Sequence, residues 1–265
     1  MKRTIAFISA LLLGSHAPAA PTSIDLRPSG PWKIDYEQNS CVLSRPYSDG
    51  QAAYELQLGF EPIKKDVWLR IASPEKKRSR DDGDAAVEVD GQKLPNPVHF
   101  NTYANGRGGT TREFWLKPFN EVRPAQQTLQ FAPKGREVLT LHSLNFQSGI
   151  GAADSCIDDL HRSLGIDPAV LKKVAVEPDG YMGEFIDLPP FQGEFNFQML
   201  FWVSPTGRVD ECHLLVPTGK PSFDKNACAQ LMKNGKFKPA RDAAGSPIRA
   251  PVFESPQIIK TVVRS

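Results

Sequence analysis

Four cysteines, Cys41, Cys156, Cys212 and Cys228, are the residues of this chain best suited to covalent chemistry. An even number of thiols permits complete pairing, and four thiols allow three pairings. None stands in CxxC spacing and none has a histidine at ligand spacing, so a zinc site is not indicated. Cys212 and Cys228 lie close together in the last third of the chain. Cys41 and Cys156 lie near the two ends of the region before it. The economical pairing is therefore Cys41 with Cys156 and Cys212 with Cys228. By loop entropy the shorter link would contribute roughly 3 kcal/mol and the longer one more. Bonds of this kind belong in an oxidising compartment.

Acid–base chemistry has one candidate. Asp154, Asp158, Asp159 and His161 cluster on one stretch, and Asp158 and His161 stand three residues apart. That spacing puts two groups on one helical face, where they could share a proton or a metal. This pair defines the alternative reading of an uncatalogued hydrolase. The better-known catalytic patterns are missing: there is no GxSxG elbow, no HExxH helix and no Walker loop. Asn105-Gly106-Arg107-Gly108-Gly109-Thr110-Thr111 is rich in glycine but lacks the Gly-Lys-Ser/Thr ending of a phosphate cradle, and reads as a mobile hairpin tip. No catalytic, cofactor-binding or metal residue is assigned, and the chain reads as a binding protein, not an enzyme.

Composition bounds the partners. A chain of 265 residues with 40% hydrophobic and 23% charged residues suits one large or two ordinary globular domains. The net charge of +2 argues against nucleic acid. The basic run Lys76-Lys77-Arg78-Ser79-Arg80 is followed at once by Asp81-Asp82-Gly83-Asp84, so the two cancel at a distance and read as a solvated loop. Lys2 and Arg3, the apolar Ile5 to Leu13 and the small residues Ala17-Pro18-Ala19 form a secretory leader. Its core is too short to span a bilayer. Residues 1–19 are expected to be removed and the product delivered to the periplasm, with no transmembrane segment in the mature chain.

The elements follow from periodicity. Trp32 to Tyr36, Cys41 to Pro46, Tyr54 to Phe60, Val67 to Ile71, Val87 to Leu94, Phe114 to Leu116 and Thr128 to Phe131 are short strand-like runs between turn residues. Asp90-Gly91 marks a tight hairpin. The pattern predicts an all-β sandwich or barrel, taken as sandwich-like. Ala152 to Leu164 then repeats Ile157, Leu160 and Leu164 on one helical face, and Gly165 stops it. Asp167-Pro168 opens a second short helical or turn segment through Val174. Trp32, Trp68, Trp115 and Trp202 are spaced like core anchors.

A boundary is placed near Val174, giving a β-rich domain over 20–174 and a second domain over 175–265. Glu177 to Gly180 and Leu188-Pro189-Pro190 read as linker or edge segments. Phe195 to Val203 reads as one long strand and Arg208 to Val216 as its return. Ser222 is expected to cap a helix with the face Phe223, Ala227 and Leu231, ended by Asn234-Gly235. Val252 and Ile258-Ile259 supply a last edge strand. The fold class is α+β: a β-rich domain with a packed helix, then a small ββαβ domain.

The second domain carries a resemblance. Gly207 to Cys212, Thr218-Gly219, Phe223 to Cys228, Phe237-Lys238-Pro239-Ala240 and Asp242-Ala243-Ala244-Gly245-Ser246-Pro247 follow one another in order. Over roughly 191–259 this run resembles the C-terminal domain of TonB-type energy transducers. The cysteine pair matches a variant in which strand and helix are cross-linked. The resemblance implies capture of a short peptide from outer-membrane receptors by strand addition, which needs no diagnostic side chain. It implies an exposed edge near Val252, Phe253, Ile258 and Ile259. The expected partners are envelope proteins, among them TonB-dependent receptors. A component of TonB-type energy transduction is the alternative. Such transducers have a membrane anchor and a long Pro/Lys/Glu-rich spacer, where this chain has a cleavable leader and a β-rich domain. In the first domain, Trp32 and Ser40-Cys41-Val42-Leu43-Ser44-Arg45, with the later Cys156 helix, are similar to exported proteins of the invasion-associated locus B type.

Overall fold

A computed structural model describes residues 23–63, 67–76, 81–116, 119, 122–187, 193–255 and 257–260. The expected leader over 1–19, the basic residues 77–80 and Leu188-Pro189-Pro190 lie outside the described residues.

The chain first lays down β1 (Ser23–Pro28), β2 (Lys33–Tyr36), β3 (Cys41–Ser48), β4 (Ala53–Phe60) and β5 (Val67–Ser73). Next come β6 (Asp81–Val89), β7 (Gln92–Lys93), β8 (Val98–Ala104), β9 (Thr110–Leu116), β10 (Thr128–Pro133) and β11 (Val138–His142). β1 pairs in parallel with β11 and antiparallel with β3. A closed ring of nine strands results, in the order β1-β11-β10-β6-β8-β9-β5-β4-β3. An odd number of strands in a ring cannot alternate in direction all the way round, so one neighbouring pair must be parallel. The β1–β11 pair takes that role, and every other pair in the ring is antiparallel. The sandwich-like expectation is thus corrected to a barrel, because β1 closes the ring and removes the two edges that a sandwich sheet would leave.

Alternation fills the ring. Tyr54, Leu56 and Leu58 on β4 and Phe114 and Leu116 on β9 are buried in one core. Phe114 stacks on Phe131 across it with centroids 3.9 Å apart. Phe119, Leu144, Phe146 and Ile150 extend that core beyond the strands at one end. Two of the four tryptophans, Trp68 and Trp115, are not core anchors, whereas Trp32 packs against the barrel core. Trp68 and Trp115 fall on outward-facing strand positions and are half-buried, and Trp32 packs beside Phe146 at the barrel end. Trp68 lies flat over β4 at Gly59, where a Cβ would meet its ring at 1.7 Å. Only Trp202 is buried.

Helix α1 (Gln147–Ser163) starts five residues earlier than its apolar repeat predicts. Gly149, before the expected start at Ala152, is a packing position: a Cβ there would lie 2.8 Å from Leu43 and 3.1 Å from Trp32. The Cys41–Cys156 disulfide joins β3 to this helix with Cα atoms 6.1 Å apart. Asp81 to Asp84 are not a loop. They form the first half of β6, paired with β8, and the Asp81 carboxylate holds Arg136.

Asp90 and Gly91 turn the β6–β7 hairpin with φ of +48° and +83°. The Asp90 carboxylate accepts from the backbone N–H groups of Gln126, Gln127 and Thr128 at 2.9, 2.8 and 2.8 Å. Burial alone would raise its pKa, but the three donors outweigh it and hold the pKa below the ordinary 3.8. A depressed carboxylate contributes stability above its unfolded pKa, and that stability is lost as pH falls below 3.8. Asp90→Asn is expected to cost on the order of 1 kcal/mol at neutral pH, since the site is solvent-exposed. It should also flatten the acid limb of the stability profile. Thermal melts at neutral and acid pH measure both effects, and an unchanged acid limb refutes the assignment.

Candidate peptide-binding edge

After α1 comes α2 (Pro168–Lys173), whose N-cap Asp167 accepts from Ala169 N at 2.8 Å. The next residues are no linker. Val176 bridges Arg241 and Asp179 bridges Lys238, and Gly180 sits so near Phe237 that a Cβ would approach its ring to 2.6 Å. Met182 and Ile186 are buried with Phe197, Phe201, Phe223, Leu231 and Phe237 in a second core.

Three elements shape that core: β13 (Gln198–Val203), β14 (Val209–Val216) and α3 (Pro221–Asn234). Phe223, Ala227 and Leu231 are the buried face of α3, as their spacing predicts. Ser222 is not the cap. The cap is Lys220, two residues earlier, with Pro221 at the first helical position, where the missing N–H costs nothing. Asp224 secures the turn instead, accepting from Thr218 N, Thr218 Oγ1 and Gly219 N. The Cys212–Cys228 disulfide ties β14 to α3, with Cα atoms 5.5 Å apart.

The expected strand from Phe195 to Val203 is divided at Phe197 into β12 (Gly193–Asn196) and β13. Phe197 turns into the core against Phe223, with centroids 5.1 Å apart. The last strand is divided to match. β17 (Ala250–Glu254) pairs with β13, and β18 (Gln257–Lys260) pairs with β12 in the same register. A short hairpin of β15 (Ala240–Arg241) and β16 (Pro247–Ile248) precedes them.

Of the four expected edge residues, Val252 and Phe253 lie on β17, while Ile258 and Ile259 lie on β18 opposite Phe195 and Glu194. The sheet order is β14-β13-β17, so β14 and β17 are its two edges. Both faces are occupied. Met199, Phe201 and Val203 face the core under α3. Leu200, Trp202 and Phe253 face Ile166, with Ile63, Leu164 and Leu171 around them. The barrel domain therefore covers the second face, and Asn39 donates to Gln198 Oε1 at 2.8 Å across the seam. Phe253 is 2% exposed and serves this packing. What a partner can reach on β17 is its backbone, not that ring.

One cluster at this edge has no local signal in the sequence. Arg249, just before β17, donates to both Asp210 oxygens at 3.0 Å and to Glu211 at 2.7 Å. Its guanidinium lies over the Trp202 ring at 5.4 Å. Glu211 is held below its ordinary pKa by a hydrogen bond from His213 and by Arg249. Residues nearly forty positions apart meet here only because β13 lies between β14 and β17.

The other candidates are separated by the fold. His161 is buried, with Nε2 against the Pro62 carbonyl, which ties α1 to the loop after β4. Asp158 faces outward on the same helix. The hairpin tip near Gly108 is a hydrogen-bonded turn: Asn105 Oδ1 accepts from Arg107 N at 3.2 Å and Gly109 N at 2.8 Å. Among the described residues no group of three or more His, Cys, Asp or Glu is placed to hold a metal ion. No described helix is long and apolar enough to cross a membrane. Comparison with protein-family models, curated proteins and solved structures finds no match to this chain.

Access separates the two disulfides. Cys41 and Cys156 are 0% and 1% exposed, whereas Cys212 and Cys228 are only partly buried. Exchange requires a thiolate to reach sulfur. Mild dithiol treatment of the folded protein should therefore open Cys212–Cys228 first. Alkylation followed by peptide mass mapping reads the order, and earlier labelling of Cys41 and Cys156 contradicts it.

Proposed function

We propose that this chain is an exported cell-envelope protein that binds an extended segment of a partner by strand addition along β17. The observation that carries the reading is that β17 pairs with β13 on one side and with no described strand on the other. Both faces of the sheet are packed, so its edges are where backbone hydrogen bonds are left to offer. Strand addition draws its affinity from main-chain hydrogen bonds and its selectivity from alternate side chains. The two disulfides agree with an oxidising compartment such as the periplasm. The order of motifs from Gly207 to Pro247 supports a partner among envelope or outer-membrane receptor proteins.

The test uses the full mature chain as bait against an outer-membrane extract. A receptor or other envelope protein is expected, and Val252→Lys should reduce its recovery by roughly tenfold, because a charged residue blunts an edge. Val252 also packs against the second core, so a lower melting temperature is expected, and a retained cooperative transition shows that the sheet survives. Recovery of no envelope protein, or equal recovery by the variant, rejects the reading.

A further inference from the structure

The chain has two Asn-Gly dipeptides, Asn105-Gly106 at the β8–β9 hairpin tip and Asn234-Gly235 at the end of α3. This dipeptide carries its own reactants. The glycine nitrogen can attack the asparagine side-chain carbonyl, because glycine has no side chain to obstruct the approach. The fold treats the two copies differently.

At Asn234 the attacking group is engaged. Gly235 N donates to Leu231 O at 2.7 Å and closes the last turn of α3, so attack there breaks a helix bond. At Asn105 it is not. Gly106 is exposed, and its nitrogen donates no hydrogen bond among the described residues. The carbonyl it faces along the chain is held in advance, because Asn105 Oδ1 accepts from both Arg107 N and Gly109 N. Only the oxygen of the amide can accept, so these donors fix which way the amide points. Attack turns that oxygen into an oxyanion, and two preset backbone donors stabilise it. Asn105 Nδ2 makes no hydrogen bond among the described residues, so nothing there retains it as a leaving group. Water has access, since Asn105 lines an open groove of about 640 Å³ together with Glu55 and Arg107.

We propose that Asn105 is a self-modification site, converted in the folded protein to an aspartyl or isoaspartyl residue. Gly106 N gives up its proton and bonds to Asn105 Cγ. The Cγ–Nδ2 bond breaks, and the nitrogen leaves as ammonia with that proton. The cyclic imide then takes up water and opens at either carbonyl. Nothing is oxidised or reduced. The product places a carboxylate beside Arg107, whose Nη1 lies 3.4 Å from Glu55, and so changes the charge at the rim of the groove. An isoaspartyl product also lengthens the main chain of the turn that Asn105 closes. The tip belongs to the barrel domain, and the proposal does not depend on the strand-addition reading.

Incubation of the full mature chain, folded and in denaturant, followed by peptide mass mapping, tests it. In the folded chain Asn105 is expected to convert at least about tenfold faster than Asn234. In denaturant the two should react at similar rates. The rate at Asn105 should rise with pH, because the attacking nitrogen must lose its proton. Gly106→Ala separates the chemistry from the fold. Gly106 does not have a positive φ, and a Cβ there meets nothing within 4 Å, so the turn survives the change. The added methyl hinders the nitrogen, and conversion should fall by about tenfold. Equal rates at Asn105 and Asn234 in the folded chain overturn the proposal, as does conversion that Gly106→Ala leaves unchanged. A preference for Asn105 that persists in denaturant belongs to the local sequence and overturns it too.

Discussion

Ring closure by β1 is the constraint on which the rest of this structure depends. Ser23 to Leu26 pair with Val138 to Leu141 on one side, and Arg27 and Pro28 pair with Ser48 and Tyr47 on the other. The six residues of β1 thus satisfy two neighbours at once. Without them β11 and β3 would each present an open row of backbone donors and acceptors. With them, every inward side chain from Leu43 to Leu141 has an interior to fill. The odd strand count then forces the parallel pair. The barrel has two distinct ends because the chain closes one with the apolar residues after β9 and β11, and leaves the other to the polar residues around β9's start.

The small C-terminal sheet obeys a different limit. It has too few strands to bury both faces by itself. Helix α3 covers one face, and the segment around Ile166 and Leu171 covers the other. The position of the barrel is consequently part of how the small domain is stabilised. It also sorts the surface. Side chains on the sheet faces are committed to packing, and main-chain groups at the edges are what is left for a partner.

Much of this was legible in order and spacing. The alternation on β4 and β13, the Asp90-Gly91 hairpin and the α3 face are local patterns, and local patterns survive folding. The misses have physical causes. β1 hides in a proline-bearing stretch, and it is a strand because two partners far along the chain hold it. The first turn of α1 lies outside the apolar repeat, since nothing local reveals that Leu43 and Trp32 press against Gly149. Trp68 and Trp115 face outward because alternation fixes which residues share a face, not which face is the inside. The Arg249–Asp210–Glu211 cluster has no signature at all, because it is defined by strands brought together from distant sequence.

The Cys41–Cys156 bond spans a sequence separation of 115, the same as each residue pair between β1 and β11. In the oxidised chain a covalent tie across that interval is present whether or not the ladder has formed. It holds the two distant stretches within one another's reach while the chain is still unfolded, and so raises their effective concentration. Long-range pairing is the slow part of folding a β-protein. In this chain oxidation does more than strengthen a finished barrel: it converts the search that closes the ring from a remote encounter into a nearby one.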